Sequence, residues 1–173
     1  MQVNEWTLWA HPAFAQPFLK LIDEVELLAS KDPKNFGDYP KTKLLARIRD
    51  LILKEIPANP SSPEFEQGNT LGKDQRHWKR AKFLRRFRLF FRFSSKHKII
   101  IYAWVNDENT LRKAGATTDP YKVFEKRLLR GNPPSNWDEL LAESHDLVSS
   151  RAPAKAKVNS KAELKRARRK NKK

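Results

Sequence analysis

Apolar residues follow a helical rhythm in the first third of the chain and a strand rhythm in the middle. Phe14, Phe18, Leu21, Val25 and Leu28 recur at steps of three and four, the spacing that stacks side chains on one face of a helix. Pro12 or Pro17 suits its first turn, where a missing N–H leaves no bond unmade. A second helix is predicted from about Thr42, with Leu44, Leu45, Ile48, Leu51, Ile52 and Ile56 on its apolar face. Pro57, Pro60 and Pro63 should end it and open the turn-rich loop NPSSPEFEQGNTLGK.

Beyond this loop the period shortens to two. HWKRAKF (77–83), RFRLFFRF (86–93) and KIIIYAWVN (98–106) read as three strands, and their short spacers predict an antiparallel meander. Alternation in the middle strand sends Phe87, Leu89, Phe91 and Phe93 to one face and Arg86, Arg88, Phe90 and Arg92 to the other. In the first strand Ala81 and Phe83 should point inward, Arg80 and Lys82 outward. Pairing in register would then gather Arg80, Lys82, Arg86, Arg88 and Arg92 on one outward, solvated sheet face.

The loop NDENTLRKAGATTD leads to two short helices. One carries Tyr121, Phe124 and Leu128 and stops near Gly131; the other begins at Ser135, with Asp138 three residues on, and presents Trp137, Leu140, Leu141 and Leu147. From Arg151 the chain is Ala, Lys and Arg without an apolar face, a composition that predicts disorder, although Ser160 and Glu163 have the spacing of a capping box. The expected organisation is one α+β domain over 1–150 and a basic tail over 151–173.

Charge sharpens this picture. The net charge of +16 is concentrated in two segments: residues 73–98 hold eleven Lys/Arg against Asp74, and residues 151–173 hold eleven against Glu163. The other 124 residues hold fourteen basic and eighteen acidic side chains, a net of −4. A basic balance confined to stretches of the chain is the footprint of a polyanion site, nucleic acid before all others. MQVNEWTLWAHPAF lacks the basic-then-apolar pattern of a secretion signal, and the longest apolar run, Ile99 to Val105, falls far short of a membrane span. A cytoplasmic protein without a membrane partner is expected.

Most familiar catalytic patterns are missing. There is no cysteine, the four histidines (His11, His77, His97, His145) lack metal-ligand spacing, and no glycine-rich phosphate loop occurs. No metal or cofactor is therefore expected. What remains is arginine and lysine on a sheet, which suits one reaction well. RNA carries its own nucleophile, the 2′-hydroxyl, so cleavage needs in-line geometry, stabilisation of the extra phosphoryl charge, and two proton transfers. A lysine among arginines has its pKa lowered by like charge, which singles out Lys82 as a candidate base. A plain solvated face would show the same alternation.

KFLRRFRLFFRF followed by IIIYAWVNDENTLRKAGATTDPYKVFEKRLLRGNPPSNW resembles YhaV-type toxins of the RelE/ParE superfamily, as does the upstream NPSSPEFEQGNTLG. The resemblance covers roughly residues 4–145. It implies a RelE-like fold with two N-terminal helices, a small antiparallel β-sheet and C-terminal helices. It also implies a type II toxin-antitoxin toxin that inhibits translation and growth by ribosome-associated, metal-independent mRNA cleavage leaving a 2′,3′-cyclic phosphate. The implied partners are an AbrB-like antitoxin of the PrlF type and, through that complex, operator DNA.

By the same resemblance, Arg88 is the arginine on the scissile phosphate and Arg112 a second one. Tyr121 orients or activates the attacking hydroxyl, or stacks on a base. Lys82 and Arg80 stand where the family has basic residues on the first strand, with Arg80 in place of an expected lysine. Lys79, Arg85, Arg86 and Arg92 complete the RNA-binding set. Simpler roles stand beside these: Tyr121 as core, Arg112 paired with Asp107 or Glu108, Trp104 as packing or stacking platform, and Asn106, Asp107 and Glu108 as loop-fixing residues. A gyrase-inhibiting ParE-like toxin and a non-catalytic RNA- or ribosome-binding module are the competing functions.

Overall fold

The sheet includes a strand, Trp6–Ala10, that periodicity leaves unassigned. The computed structural model describes residues 1–147, so the expectations for 151–173 lie outside the described residues. After β1 (Gln2–Val3), β2 (Trp6–Ala10) buries Trp6, Leu8 and Ala10. α1 (Pro12–Lys31) and α2 (Pro40–Asp50) follow, and α2 runs through a wider π turn at Leu51–Glu55 into α3 (Ile56–Ala58). Helix thus continues one residue past Pro57, which itself needs no N–H acceptor. Then come β3 (Lys79–Phe83), β4 (Phe87–Ser94) and β5 (Ile99–Val105), and finally α4 (Pro120–Leu129), α5 (Trp137–Glu143) and β6 (His145–Asp146).

Among the described residues six strands form one sheet in the order β1-β2-β5-β4-β3, with β6 also on β2. The meander β3–β4–β5 is antiparallel as expected. The sheet as a whole is mixed, because β2 lies parallel to β5, with Leu8 opposite Ile100. This corrects the small antiparallel sheet. WTLWA is only five residues between a turn and the cap of α1, so period two is hard to see there, while Ile99–Val105 needs partners on both sides because it is buried almost throughout.

The expectation of one solvated face is also overturned. Leu89 and Phe91 enter the core beneath α1 and α2, with Leu8, Phe14, Phe18, Ile48, Ile52, Ile100 and Tyr102. The opposite face is covered by α4 and α5, where Trp78, Phe90, Ile101, Trp104, Tyr121, Phe124 and Leu140 form a second core. Phe124 stacks on Phe90 at 4.1 Å and lies nearly parallel to Trp104 at 5.8 Å, so Trp104 is a packing residue. Removing one such ring should cost about 3–5 kcal/mol. Ala103 is the extra residue where the β4–β5 register shifts, between the Phe90–Trp104 and Phe91–Tyr102 pairs; such bulges re-aim the side chains around them.

Helix starts follow local capping chemistry. α5 is capped by Asn136, whose Oδ1 accepts from the Asp138 and Glu139 amides at 2.9 and 3.1 Å. Ser135, the expected cap, instead donates its hydroxyl to Gln75. His11 caps α1: its Nδ1 accepts from the Ala13 amide at 3.1 Å, and Nε2 donates to the Glu143 carboxylate at 2.9 Å. That arrangement needs neutral imidazole, and burial depresses the His11 pKa below its ordinary 6.5 against the opposing pull of Glu143. A depressed folded-state pKa gives stability that is full above about pH 6.5 and is lost as pH falls through the lower folded value. Denaturant unfolding between pH 7 and 5.5 should show this loss, and His11→Asn, which caps without titrating, should flatten it; an unchanged slope in the variant would contradict the assignment.

Candidate catalytic site

At the end of the sheet where β3 turns into β4, three arginines converge on one phenol. Arg80 and Arg88 are 9% and 6% exposed, far from the open positions expected of them. Arg80 Nε donates to the Tyr121 hydroxyl at 2.9 Å and Arg88 Nε donates to the same oxygen at 3.2 Å. The Arg112 and Arg88 guanidinium groups lie 5.3 and 5.9 Å from the centre of the Tyr121 ring, within reach of its quadrupole. Tyr121 is buried with its ring edge-on to Phe90 at 5.7 Å. It is therefore core by its ring and part of the polar cluster by its hydroxyl.

Arg88 owes its position to both backbone and side chain. Lys82 pairs with Arg88 and Arg80 with Phe90 across β3–β4, so these three basic residues share a face as alternation predicts. Arg88 Nη1 donates to the Phe87 and Arg85 carbonyls at 2.7 and 3.1 Å. Those carbonyls belong to a tight turn in which Leu84 and Arg85 have φ of 42° and 61°, a left-handed region that costs an L-residue about 1–2 kcal/mol. Asn106 fixes the turn from β5: its Oδ1 accepts from the Arg88 amide at 2.6 Å and its Nδ2 donates to the Arg86 and Thr110 carbonyls at 3.2 and 2.8 Å. Asp107 in turn accepts from the Asn109 amide and the Thr110 hydroxyl. The loop-fixing role of Asn106 and Asp107 is what the geometry shows.

Arg112 arrives from the following loop. Its amide donates to the Arg86 carbonyl at 2.9 Å, and the exposed Arg86 returns a bond from Nε to the Arg112 carbonyl at 3.2 Å. Its guanidinium pairs with Asp119, not with Asp107 or Glu108. Asp119, 3% exposed, also accepts from the Lys113 amide at 2.9 Å and caps α4 through the Tyr121 amide at 3.1 Å. One carboxylate thus places both Arg112 and the first turn that holds Tyr121. Sequence reasoning missed it, although Asp-Pro at a helix start carries the signature of an N-cap with proline at N1.

The remaining candidates divide. Lys82 is exposed beside Arg88 with no hydrogen-bond partner among the described residues. Arg85 is exposed in the turn. Lys79 leaves the other face of β3, opposite Phe91, and pairs with Glu66. Arg92 lies farther along β4 between the rings of Trp78 and Trp137, at 5.6 and 5.2 Å, and donates to the Ser135 carbonyl at 2.6 Å; burial lowers its pKa to about 10. His77 binds Ser135, and His97 binds Ser94. Among the described residues no group of three His, Cys, Asp or Glu side chains converges as a metal site, and no helix is long and apolar enough to cross a membrane.

Chemically, the cluster gathers three guanidinium groups around one phenol, an arrangement able to receive an anion. Nη2 of Arg80, Arg88 and Arg112 has no acceptor among the described residues. None of these atoms is fully buried, since Thr42 Oγ1 alone is both fully buried and unpaired among the described side chains. Three guanidinium forks with free outer amines suit a phosphate better than any neutral ligand.

Residues 8–145 match the model of the Toxin_YhaV family, described as a toxin with endonuclease activity, of toxin-antitoxin system. The chain is 48% identical over 147 residues to the ribonuclease toxin YhaV of Escherichia coli K12, a match that covers 84% of this chain and 96% of the relative. It shows the same identity and coverage to the toxin YhaV of E. coli O6:H1 and of E. coli O157:H7. No solved structure matches the chain significantly.

The double duty of Asp119 has a measurable consequence. Asp119→Ala removes a cap and strands a paired arginine, and should lower unfolding stability by about 2–3 kcal/mol. Asp119→Asn keeps the cap and should lose roughly 1 kcal/mol less. Equal stability of both variants and the parent in urea titrations would contradict this role.

Proposed function

The chain belongs to the YhaV toxin family, and on that premise we propose that it is the ribonuclease of a type II toxin-antitoxin pair. It cuts mRNA at the ribosome without a metal and so stops translation and growth. The observation that carries the proposal is the convergence of Arg80, Arg88 and Arg112 on Tyr121, with their Nη2 amines left unpaired among the described residues.

In this mechanism the RNA 2′-oxygen attacks the adjacent phosphorus, the P–O5′ bond breaks, and the products are a 2′,3′-cyclic phosphate and a 5′-hydroxyl. Arg88, Arg80 and Arg112 receive the non-bridging oxygens, whose charge grows in the transition state, where fixed donors act most strongly. Two protons must move, one from the 2′-hydroxyl and one to the departing 5′-oxygen. Tyr121 and Lys82 are the groups beside the cluster that can carry them. Arg86, Arg85, Lys79 and Arg92 are assigned to RNA contacts outside the reacting phosphate. An all-cationic first layer needs no divalent ion to neutralise the phosphoryl charge, which supports metal independence.

A RelE-like fold belongs to the same proposal, supported by two N-terminal helices on one face of a sheet whose antiparallel strands carry the arginines. So do an AbrB-like, PrlF-type antitoxin, operator DNA reached through its complex, and a cytoplasmic location. These rest on the family premise.

Arg88→Ala tests the centre of the proposal. It should lower single-turnover cleavage by on the order of 10²–10³, and it should also cost about 1–3 kcal/mol of stability, because the Arg85 and Phe87 carbonyls lose their donor. Arg86→Ala, which gives up an exposed contact to one carbonyl, should lose much less activity. Both assays should read the same with EDTA wherever the RNA or ribosome tolerates chelation. Equal cleavage by the parent and a folded Arg88→Ala, mapped by primer extension on mRNA, would reject the assignment and favour a non-catalytic binding module.

A further inference from the structure

α4 exposes a second cationic surface that lies outside both basic segments of the sequence. Val123, Lys126, Arg127 and Arg130 recur at steps of three and four and line one side of the helix. Thr117 from the preceding loop and Asn132 from the following turn flank a half-open cavity of about 560 Å3 over this stripe. No carboxylate lines it, and none pairs with Lys126, Arg127 or Arg130 among the described residues.

Arg127 is the informative member. It is half-buried, its guanidinium sits 5.4 Å from the centre of the Trp104 ring, and Nη1 donates to the Asn132 carbonyl at 3.3 Å. Burial lowers its pKa, with Asp107 the opposing charge and Arg130 adding a smaller push downward. A cation that is partly desolvated, held by an aromatic face and left without an ion-pair partner gains most from an incoming anion. Lys126 and Arg130, both exposed, raise the local positive field without occupying the cavity.

Position selects the anion. Thr117 lies two residues before Asp119, which carries Arg112 and caps the turn holding Tyr121. Tyr121 in the first turn of α4 and Arg130 at its C-cap are about 13 Å apart along the axis. A strand whose phosphate rests on Arg88 and Arg112 can therefore continue along α4 within a few nucleotides. We propose that the cavity lined by Lys126, Arg127 and Arg130 is a phosphodiester subsite for the RNA strand flanking the bond that is cut. This rests on the ribonuclease reading of the Arg80, Arg88, Arg112 and Tyr121 cluster.

The test uses the double variant Lys126→Gln, Arg130→Gln in the full chain, leaving Arg127 on Trp104. The probe is a single-stranded 2′-O-methyl RNA, which lacks the nucleophile and is not cut. Each phosphate contact in single-stranded nucleic acid contributes about 0.7 to the slope of log affinity against log salt. Losing two should flatten that slope by about 1.4 and weaken binding by on the order of tenfold at low salt. Single-turnover cleavage of a matching ribo-substrate at saturation should stay at the parental rate. Repeating the titration with ribosomes separates the sources: a loss with the free oligomer supports the substrate strand, whereas a loss with ribosomes alone would overturn that assignment in favour of ribosomal RNA. Unchanged affinity and slope with both probes would overturn the subsite, as would lost antitoxin binding with RNA affinity intact. Either result would leave parental cleavage untouched, whereas a parent that cuts no RNA would reject the ribonuclease reading itself.

Discussion

Two buried guanidinium groups share the hydroxyl of Tyr121, and the arrangement of the site depends on that shared oxygen. Arginines side by side repel, and removing them from water is costly. Here the cost is offset locally. Each Nε finds the phenol, and each Nη1 finds main-chain carbonyls from Glu64, Arg85 or Phe87. Tyr121 can serve both arginines because α4 is pinned to the sheet by Phe124 against Phe90 and Trp104, and because Asp119 starts the helix at the residue before Pro120.

The same contacts explain why the cluster is rigid. A turn with two left-handed, non-glycine residues is unfavourable by itself, and it persists where surrounding bonds over-determine it. Arg88 binds the turn from within, Asn106 binds it from β5, and Arg112 binds it from the next loop. Strain, buried charge and a two-sided core meet at this end of the sheet. Sites that must present fixed donors to a developing charge are where such combinations accumulate.

Much of this was legible in the sequence, for identifiable reasons. Alternation in RFRLFFRF correctly separated Leu89 and Phe91 from Arg88, because period two is strong over eight residues. It could not tell whether the arginine face was wet, since that depends on α4 and α5 folding back from more than thirty residues away. Phe90, an aromatic among arginines, was the local sign that this face is covered. WTLWA was overlooked as a strand because five residues before a proline carry little pattern, and with it went the parallel β2–β5 pairing. Arg112 stands out by resemblance; the simpler alternative, a pair with Asp107 or Glu108, is nearer in sequence, yet Asp107 serves its own turn and Asp119 serves Arg112.

The central claim is that the Tyr121 hydroxyl belongs to the chemistry as well as to the packing. Tyr121→Phe separates the two, because the ring against Phe90 remains while the oxygen between Arg80 and Arg88 is removed. Single-turnover cleavage of RNA at saturation, measured on variant protein with an unchanged circular-dichroism spectrum and retained RNA binding, is the direct measurement. The account predicts a rate lower by at least about 10². A rate equal to that of the parent would contradict it and leave Tyr121 a core residue only.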